Sequence, residues 1–431
     1  MELVLPFGSR KTPFDAPWPP EQLAIARRPP LPEPCEWEDA ARRALDSPVG
    51  ARSLAETPLI GKSVAVLVNA AHGQMPVADV LPIVIDYLEQ AGARKTDIAI
   101  VAAGGNPVAA AADLERLIGA DLAAQHTTIC HDPFSADHQF CGFSALGTPI
   151  LVNSKVFEAD FRVAIGLVRP HASLGYTGGD DAILPGVSAF ETIIRHAALG
   201  FASSSSYGRL DDNPSRLDVE NVGMTVGLDH ILNFVVSLDG GPVAAFAGHP
   251  VKAHRAAVNF GDRGVWAGEL GGAADIAIAS PGGDWAGDTP FDPAVIDFVV
   301  AGVKLGGSIV FLAGPGMLPE PEDKDEAKMA ELPVAELAKL HEKRNWRGKP
   351  AEIAAKLKAI RKAYLAKRPF FARSVILAGS DLPSPALEHL GAEQTDTLEE
   401  AVDLVAGRHG RDAHVAFVPD ASTTLCLPEL H

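Results

Sequence analysis

Long apolar runs, paired cysteines and surplus positive charge are all missing from this chain. No run of about 18 consecutive apolar residues occurs, which excludes a membrane-spanning helix. The opening stretch, MELVLPFGSRKTPFD, has no long apolar core and carries charges where a secretory leader is hydrophobic, so no signal peptide is expected. Cysteine is scarce: Cys35, Cys130, Cys141 and Cys426 are scattered and form no CxxC pair. That usage fits reduced thiols in a cytoplasmic protein, with a Cys130–Cys141 pair as the alternative. Lysine and arginine number 37 against 55 aspartates and glutamates, a net charge of −18 with no offsetting basic patch. Nucleic acid and membrane surfaces are therefore not expected partners. What remains is an ordinary globular balance, 47% hydrophobic and 21% charged over 431 residues, enough for two or three domains. The oligomeric state is left open.

Residues 1–35 are proline-rich (Pro13, Pro17, Pro19, Pro20, Pro29, Pro30, Pro32, Pro34) and read as one strand, Glu2–Pro6, followed by extended chain. Trp37–Leu45 reads as a short helix. Regular alternation begins at Ser63. Apolar runs at Ser63–Asn69, Asp97–Ala103, Thr127–His131, Pro149–Val152 and Phe161–Val168 read as strands. Val80, Leu81, Val84, Ile85 and Leu88 fall at helical spacing over Asp79–Ala91, and Ala109–Leu117 is a second helix. This alternation predicts an α/β fold with a mostly parallel, Rossmann-like sheet covered on both faces. Residues 213–260 read as helix, two strands joined at Asp239-Gly240-Gly241, and helix. A boundary is expected near 262–270. The expected domains are 1–265, carrying catalysis and cofactor, and 270–431, a smaller α/β domain with a charged helical insertion at 320–368. A ligand cleft is expected between them.

The densest chemistry lies in Val168–Gly200, VRPHASLGYTGGDDAILPGVSAFETIIRHAALG. A buried strand stops at Arg169-Pro170-His171. A loop with Gly175, Gly178 and Gly179 carries Asp180 and Asp181, and a helix near Ser188–Leu199 carries His196. A strand end, a glycine loop and a helix start form the usual ligand position of an α/β sheet.

In sequence order the chain shows Ala41–Leu45 with Pro48, the Ser63 strand, His131-Asp132, and the PH, GG, ILPG and ETI elements of 168–200. Asn213-Pro214, Asp218, Asn233, Gly248, Ala253-His254-Arg255, Pro281-Gly282-Gly283 and Gly306-Gly307 follow. This ordered series resembles the lactate racemase family, the nickel-dependent 2-hydroxyacid racemases and epimerases. The resemblance implies two α/β domains and a nickel-pincer nucleotide cofactor. It implies hydride transfer from a small 2-hydroxy acid, with a histidine handling the hydroxyl proton on each face. His171 would be one acid/base histidine and His196 the nickel ligand.

Other positions depart from the family pattern. Gly105-Asn106-Pro107 stands where the second acid/base histidine belongs, so Asn106 either bonds a substrate oxygen or ends the strand turn. Ala71-His72-Gly73-Gln74-Met75-Pro76 stands where Thr-Arg-Pro holds the phosphate; His72 and Gly73 either take over that role or form a solvated loop. Asp180-Asp181 replaces the tethering lysine, as a metal- or substrate-binding pair or as a cap, and the lysine expected within Asp284–Val295 is absent. An aspartate cannot form the covalent link and repels a nearby phosphate. The expected cofactor is therefore noncovalent, with Ser173, Gly178, Gly179 and Asp181 lining it. The alternative is a non-racemase of the same fold: a metal- or nucleotide-binding protein, a regulator, or an enzyme using another metal.

Overall fold

The computed structural model describes residues 1–69, 75–104, 111–237, 240–283, 294–314, 324–342, 350–371 and 373–430. They form two compact units, 31–261 and a second built from 1–30 together with 262–431. The second unit begins with β1 (Glu2–Phe7), β2 (Arg10–Asp15) and β3 (Leu23–Ile25). β1 and β2 are an antiparallel hairpin, although Pro13 lies inside β2. From the sequence, residues 1–30 are expected in the larger domain, 1–265; here they group with 262–431. β3 pairs in parallel with a strand near the end of the chain, Leu23 opposite Val415.

Unit 31–261 contains α1 (Trp37–Asp46), β4 (Val64–Val68), α2 (Val77–Gln90), β5 (Ile98–Ala102), α3 (Ala111–Ile118), α4 (Ala120–Gln125) and β6 (Thr127–Cys130). Next come β7 (His138–Phe143), β8 (Pro149–Asn153), α5 (Ser154–Glu158), β9 (Phe161–Val168), β10 (Pro170–His171), β11 (Gly175–Tyr176), α6 (Phe190–Ala197), α7 (Pro214–Val226), β12 (His230–Val236), β13 (Pro242–Gly248) and α8 (Pro250–Gly261). Among the described residues six strands form its main sheet, in the order β13-β12-β9-β4-β5-β6. Only β13 runs antiparallel to its neighbour. Pro149–Asn153 is not a member of this sheet. It pairs with β7 in a separate antiparallel hairpin.

Side chains alternate across a strand, so each strand feeds two cores. Val64, Val66 and Val68 of β4 join Val163 and Ile165 of β9 under α1 and α2. Ala65 and Leu67 point the other way, against Ile183, Leu184, Val187 and the Val219-Val222-Val226 stripe of α7. The loop after β9 is thereby laid over one face of the sheet, between the strands and α7.

The remaining strands are β14 (Ala267–Glu269), β15 (Ala274–Ala279), β16 (Val303–Leu312), β17 (Ser374–Ala378), β18 (Glu393–Thr395), β19 (Val415–Val418) and β20 (Leu425–Leu427). An all-parallel sheet runs β18-β17-β16-β15-β19-β3. Helices α9 (Ala294–Val300), α10 (Lys324–Ala330), α11 (Val334–Glu342), α12 (Pro350–Lys367), α13 (Ser384–Leu390) and α14 (Leu398–His409) complete this unit. Among the described residues no helix is long and apolar enough to cross a membrane.

Candidate active site

β9 is buried along its whole length and ends at Val168. The chain then doubles back through a two-residue ladder, Pro170 opposite Tyr176 and His171 opposite Gly175. Gly175 has φ +75°, and a Cβ there would overlap the carbonyl of Arg209. Within this turn the half-buried His171 folds its ring onto its own backbone. Nδ1 accepts the N–H groups of Ser173 (3.3 Å) and Leu174 (3.0 Å). An amide N–H can only donate, so Nδ1 bears the lone pair and Nε2 of the neutral ring bears the proton.

α7 holds this loop from below. Pro214 starts the helix and Asn213 caps it, Oδ1 accepting from Ser215 N (3.0 Å) and Arg216 N (3.2 Å). The same Asn213 donates through Nδ2 to the Ser173 carbonyl at 2.8 Å. Arg216, fully buried, donates to the carbonyls of Leu174 (3.4 Å), Tyr176 and Gly178 (3.1 Å). Ser173 is thus gripped by its backbone, and its Oγ lies against Gly200.

The glycine pair is committed internally. Gly178 N donates to Asp181 Oδ2 (2.6 Å) and Gly179 N to Asn233 Oδ1 (2.7 Å). Neither amide is left to hold an anion, contrary to the expectation that these glycines line a cofactor through their backbone. Asp181 acts as a cap for the short turn Gly179–Ala182. Gly178 has φ +91°, and a Cβ on it would sit 2.8 Å from Asn233 Oδ1 and from Val168 Cγ2. His254 lies under Gly179, its Nε2 2.9 Å from the Thr177 carbonyl. Burial, reinforced by Arg216 and Arg255, holds that imidazole well below its usual pKa.

Asp180 turns toward α7, its carboxylate filling the space opposite Gly223, with no hydrogen-bond partner among the described residues. Burial pushes its pKa up to about 7; Arg216 and Arg255 pull it down, while Glu220 and Asp181 push it up. The folded chain therefore binds a proton here that the unfolded chain has already lost above its ordinary pKa of about 4. From Asp180, stability falls as pH rises from about 4 to 7 and levels off above. Asp180→Asn should accordingly raise Tm at pH 8 and change little at pH 5. A Tm difference independent of pH would refute this titration.

His196 lies on α6 and is buried, its Nδ1 2.9 Å from Asp218 Oδ2. Asp218 has no exposed surface and also accepts from Ser144 Oγ (2.5 Å) and Thr148 Oγ1 (2.9 Å). Burial alone would push this carboxyl up. The bonds from His196, Ser144 and Thr148 outweigh it and hold the group below the ordinary carboxylate range. A carboxylate on Nδ1 fixes the proton there and leaves the lone pair on Nε2, the outer-shell arrangement of a metal-binding histidine. Among the described residues no three His, Cys, Asp or Glu side chains gather as a metal cage. A metal at His196 therefore takes its other ligands from elsewhere.

Helix α7 thus carries the anchor of the His171 turn, Asn213, and that of His196, Asp218, five residues or about 7.5 Å apart along its axis. His72, Gly73 and Asn106 lie outside the described residues. Asp218 and Arg216 are the residues whose roles sequence reasoning missed. A signal existed: an acid and an arginine on the same helix face as Val219 and Val222 must have buried partners.

Residues 8–207 match the lactate racemase N-terminal domain family. Over these residues the chain is similar to the lactate racemase family. A lactate racemase of Thermoanaerobacterium thermosaccharolyticum is 27% identical over 285 residues, 64% of this chain and 65% of that protein, just under two thirds of its length. A lactate racemase of Lactiplantibacillus plantarum is 26% identical over 400 residues, 89% of each chain. The fold agrees: the lactate racemase apoprotein structure from T. thermosaccharolyticum superposes with a TM-score of 0.69 at 23% identity, over 99% of this chain and 100% of that one. A Thermotoga maritima protein from structural genomics gives 0.50 at 15% identity, over 92% and 99%.

Proposed function

We propose that the chain is a 2-hydroxyacid racemase or epimerase in which His196 holds the nickel of a noncovalent nickel-pincer nucleotide. The observation that carries this reading is the Asp218–His196 pair, which leaves an imidazole lone pair oriented as a metal ligand. The donor fits nickel; the covalent tether does not fit, because Asp181 offers no amine and its carboxylate is spent on Gly178 N. Phosphate recognition then falls to His72 and Gly73, outside the described residues, rather than to the committed amides of Gly178 and Gly179. When bound, the cofactor supplies a hydride acceptor for the carbon bearing the substrate hydroxyl.

The chain's own work is at the oxygen. His171 has Nδ1 occupied by two amides, so Nε2 is the nitrogen that bears the proton. It can hydrogen-bond a substrate oxygen and return a proton as the hydroxyl re-forms. It cannot accept a proton at Nε2 in this tautomer, so proton removal requires the ring to leave the Ser173 and Leu174 amides. Asn106, in the sequence place of the second histidine, offers a substrate oxygen an amide N–H donor but takes no proton at neutral pH.

The test is protein made together with the cofactor-producing enzymes. Native mass spectrometry should show a nickel-containing adduct, denaturing spectrometry the bare chain mass, and a 2-hydroxyacid panel should show racemisation or epimerisation. Absence of nickel together with an inert panel would remove this function; an adduct that survives denaturation would remove the noncovalent reading.

A further inference from the structure

Away from that site, two imidazoles meet with both lone pairs unused. His131, just after β6, is 3% exposed, and its Nε2 lies 3.0 Å from the Ser188 carbonyl. A carbonyl only accepts, so Nε2 bears the proton and Nδ1 the lone pair. His138 opens β7 with Nδ1 2.9 Å from the Ser135 carbonyl, which leaves its lone pair on Nε2 by the same argument. His131 Nδ1 and His138 Nε2 are both shielded from solvent, and neither has a hydrogen-bond partner among the described residues. The rings are 5.5 Å apart at 81°. Edge-to-face packing accounts for that spacing. It does not account for two desolvated acceptors left without donors on neighbouring rings.

We propose that His131 Nδ1 and His138 Nε2 bind a divalent transition-metal ion of the zinc type. An ion about 2.1 Å from each nitrogen lies roughly 3.2 Å from each ring centre, and a tetrahedral angle then sets the centres about 5.2 Å apart. Tying each N–H to a carbonyl orients the rings as outer-shell bonds orient metal-bound histidines. Burial lowers the His131 pKa to about 4, so no proton competes for its lone pair near neutrality. Among the described residues no third protein ligand joins the pair, and water completes the coordination. The ion would pin the β7–β8 hairpin to the end of β6.

Zn²⁺ titrated into the full chain tests this, followed by equilibrium dialysis and thermal unfolding. Wild type and His196→Ala should bind zinc alike and show the same rise in Tm. His138→Gln, at a half-exposed position, should bind one ion fewer and lose the rise. Overturning results are no saturable zinc in wild type, unchanged zinc binding in His138→Gln, or loss of the Tm rise in His196→Ala. If His138→Gln does not fold, histidine ¹⁵N resonances of the wild type decide. Zinc must shift one nitrogen each of His131 and His138, and unshifted resonances overturn the proposal.

Discussion

Nickel should vanish from the cofactor-loaded protein when His196 becomes alanine, while the fold survives. The ring is mostly buried, but its only protein bond among the described residues is to Asp218. Asp218 keeps Ser144 and Thr148 as donors after the ring is gone. The loss of stability should be about 1–3 kcal/mol, the cost of one unmet buried polar bond. Asp218→Asn is the graded counterpart. An amide cannot accept from three donors with one oxygen, so its NH₂ meets one of them and the His196 tautomer is no longer fixed. Nickel affinity should drop about 10- to 100-fold, as on loss of an outer-shell partner. Elemental analysis of the purified variants, with circular dichroism as the check on folding, reads both effects. Nickel retained at wild-type level in the alanine variant would remove His196 as the ligand.

The larger effect on stability should come from Arg216→Met, about 3–5 kcal/mol in urea unfolding, the range for breaking a buried charge arrangement. Methionine keeps the apolar stem of the side chain and removes every donor. Three carbonyls, those of Leu174, Tyr176 and Gly178, then lose their partner inside the protein. Asp180 also loses the positive charge that most lowers its pKa, so its carboxylate becomes costlier still. Asp180→Asn added to Arg216→Met should therefore recover part of the loss, a coupling that a double-mutant cycle reads directly. A single variant within 1 kcal/mol of wild type, on the scale of an ordinary surface change, would show that the loop is held by other means.

Much of this architecture was legible from local pattern. The unbroken apolar run Phe161–Val168 is a strand with those bounds, and Val80, Leu81, Val84, Ile85 and Leu88 do lie on the buried side of α2. Pattern failed where no face is buried or where a proline sits inside a strand. His138–Phe143 is mostly exposed and shows no period of two, so its hairpin with Pro149–Asn153 was not visible. β2 is masked by Pro13 among many prolines. Within the 168–200 core the chemistry-bearing residue types were evident, but their partners were not. Asn233 is 54 positions from Gly179, and Arg216 is 38 from Gly178. Nothing local distinguishes a glycine that receives a ligand from one whose amide is already spent.

The pairing of β3 with β19 has a consequence for biosynthesis. Leu3, Leu5, Phe7, Phe14 and Trp18 are covered by apolar surface from strands and a helix that are translated some 250 to 400 residues after them. Unit 31–261 can complete its own fold in the interval, because among the described residues every strand of its main sheet comes from within that unit. Until those strands are made, residues 1–30 lack the apolar surface that covers them in the folded chain, an exposure that favours aggregation of incomplete chains.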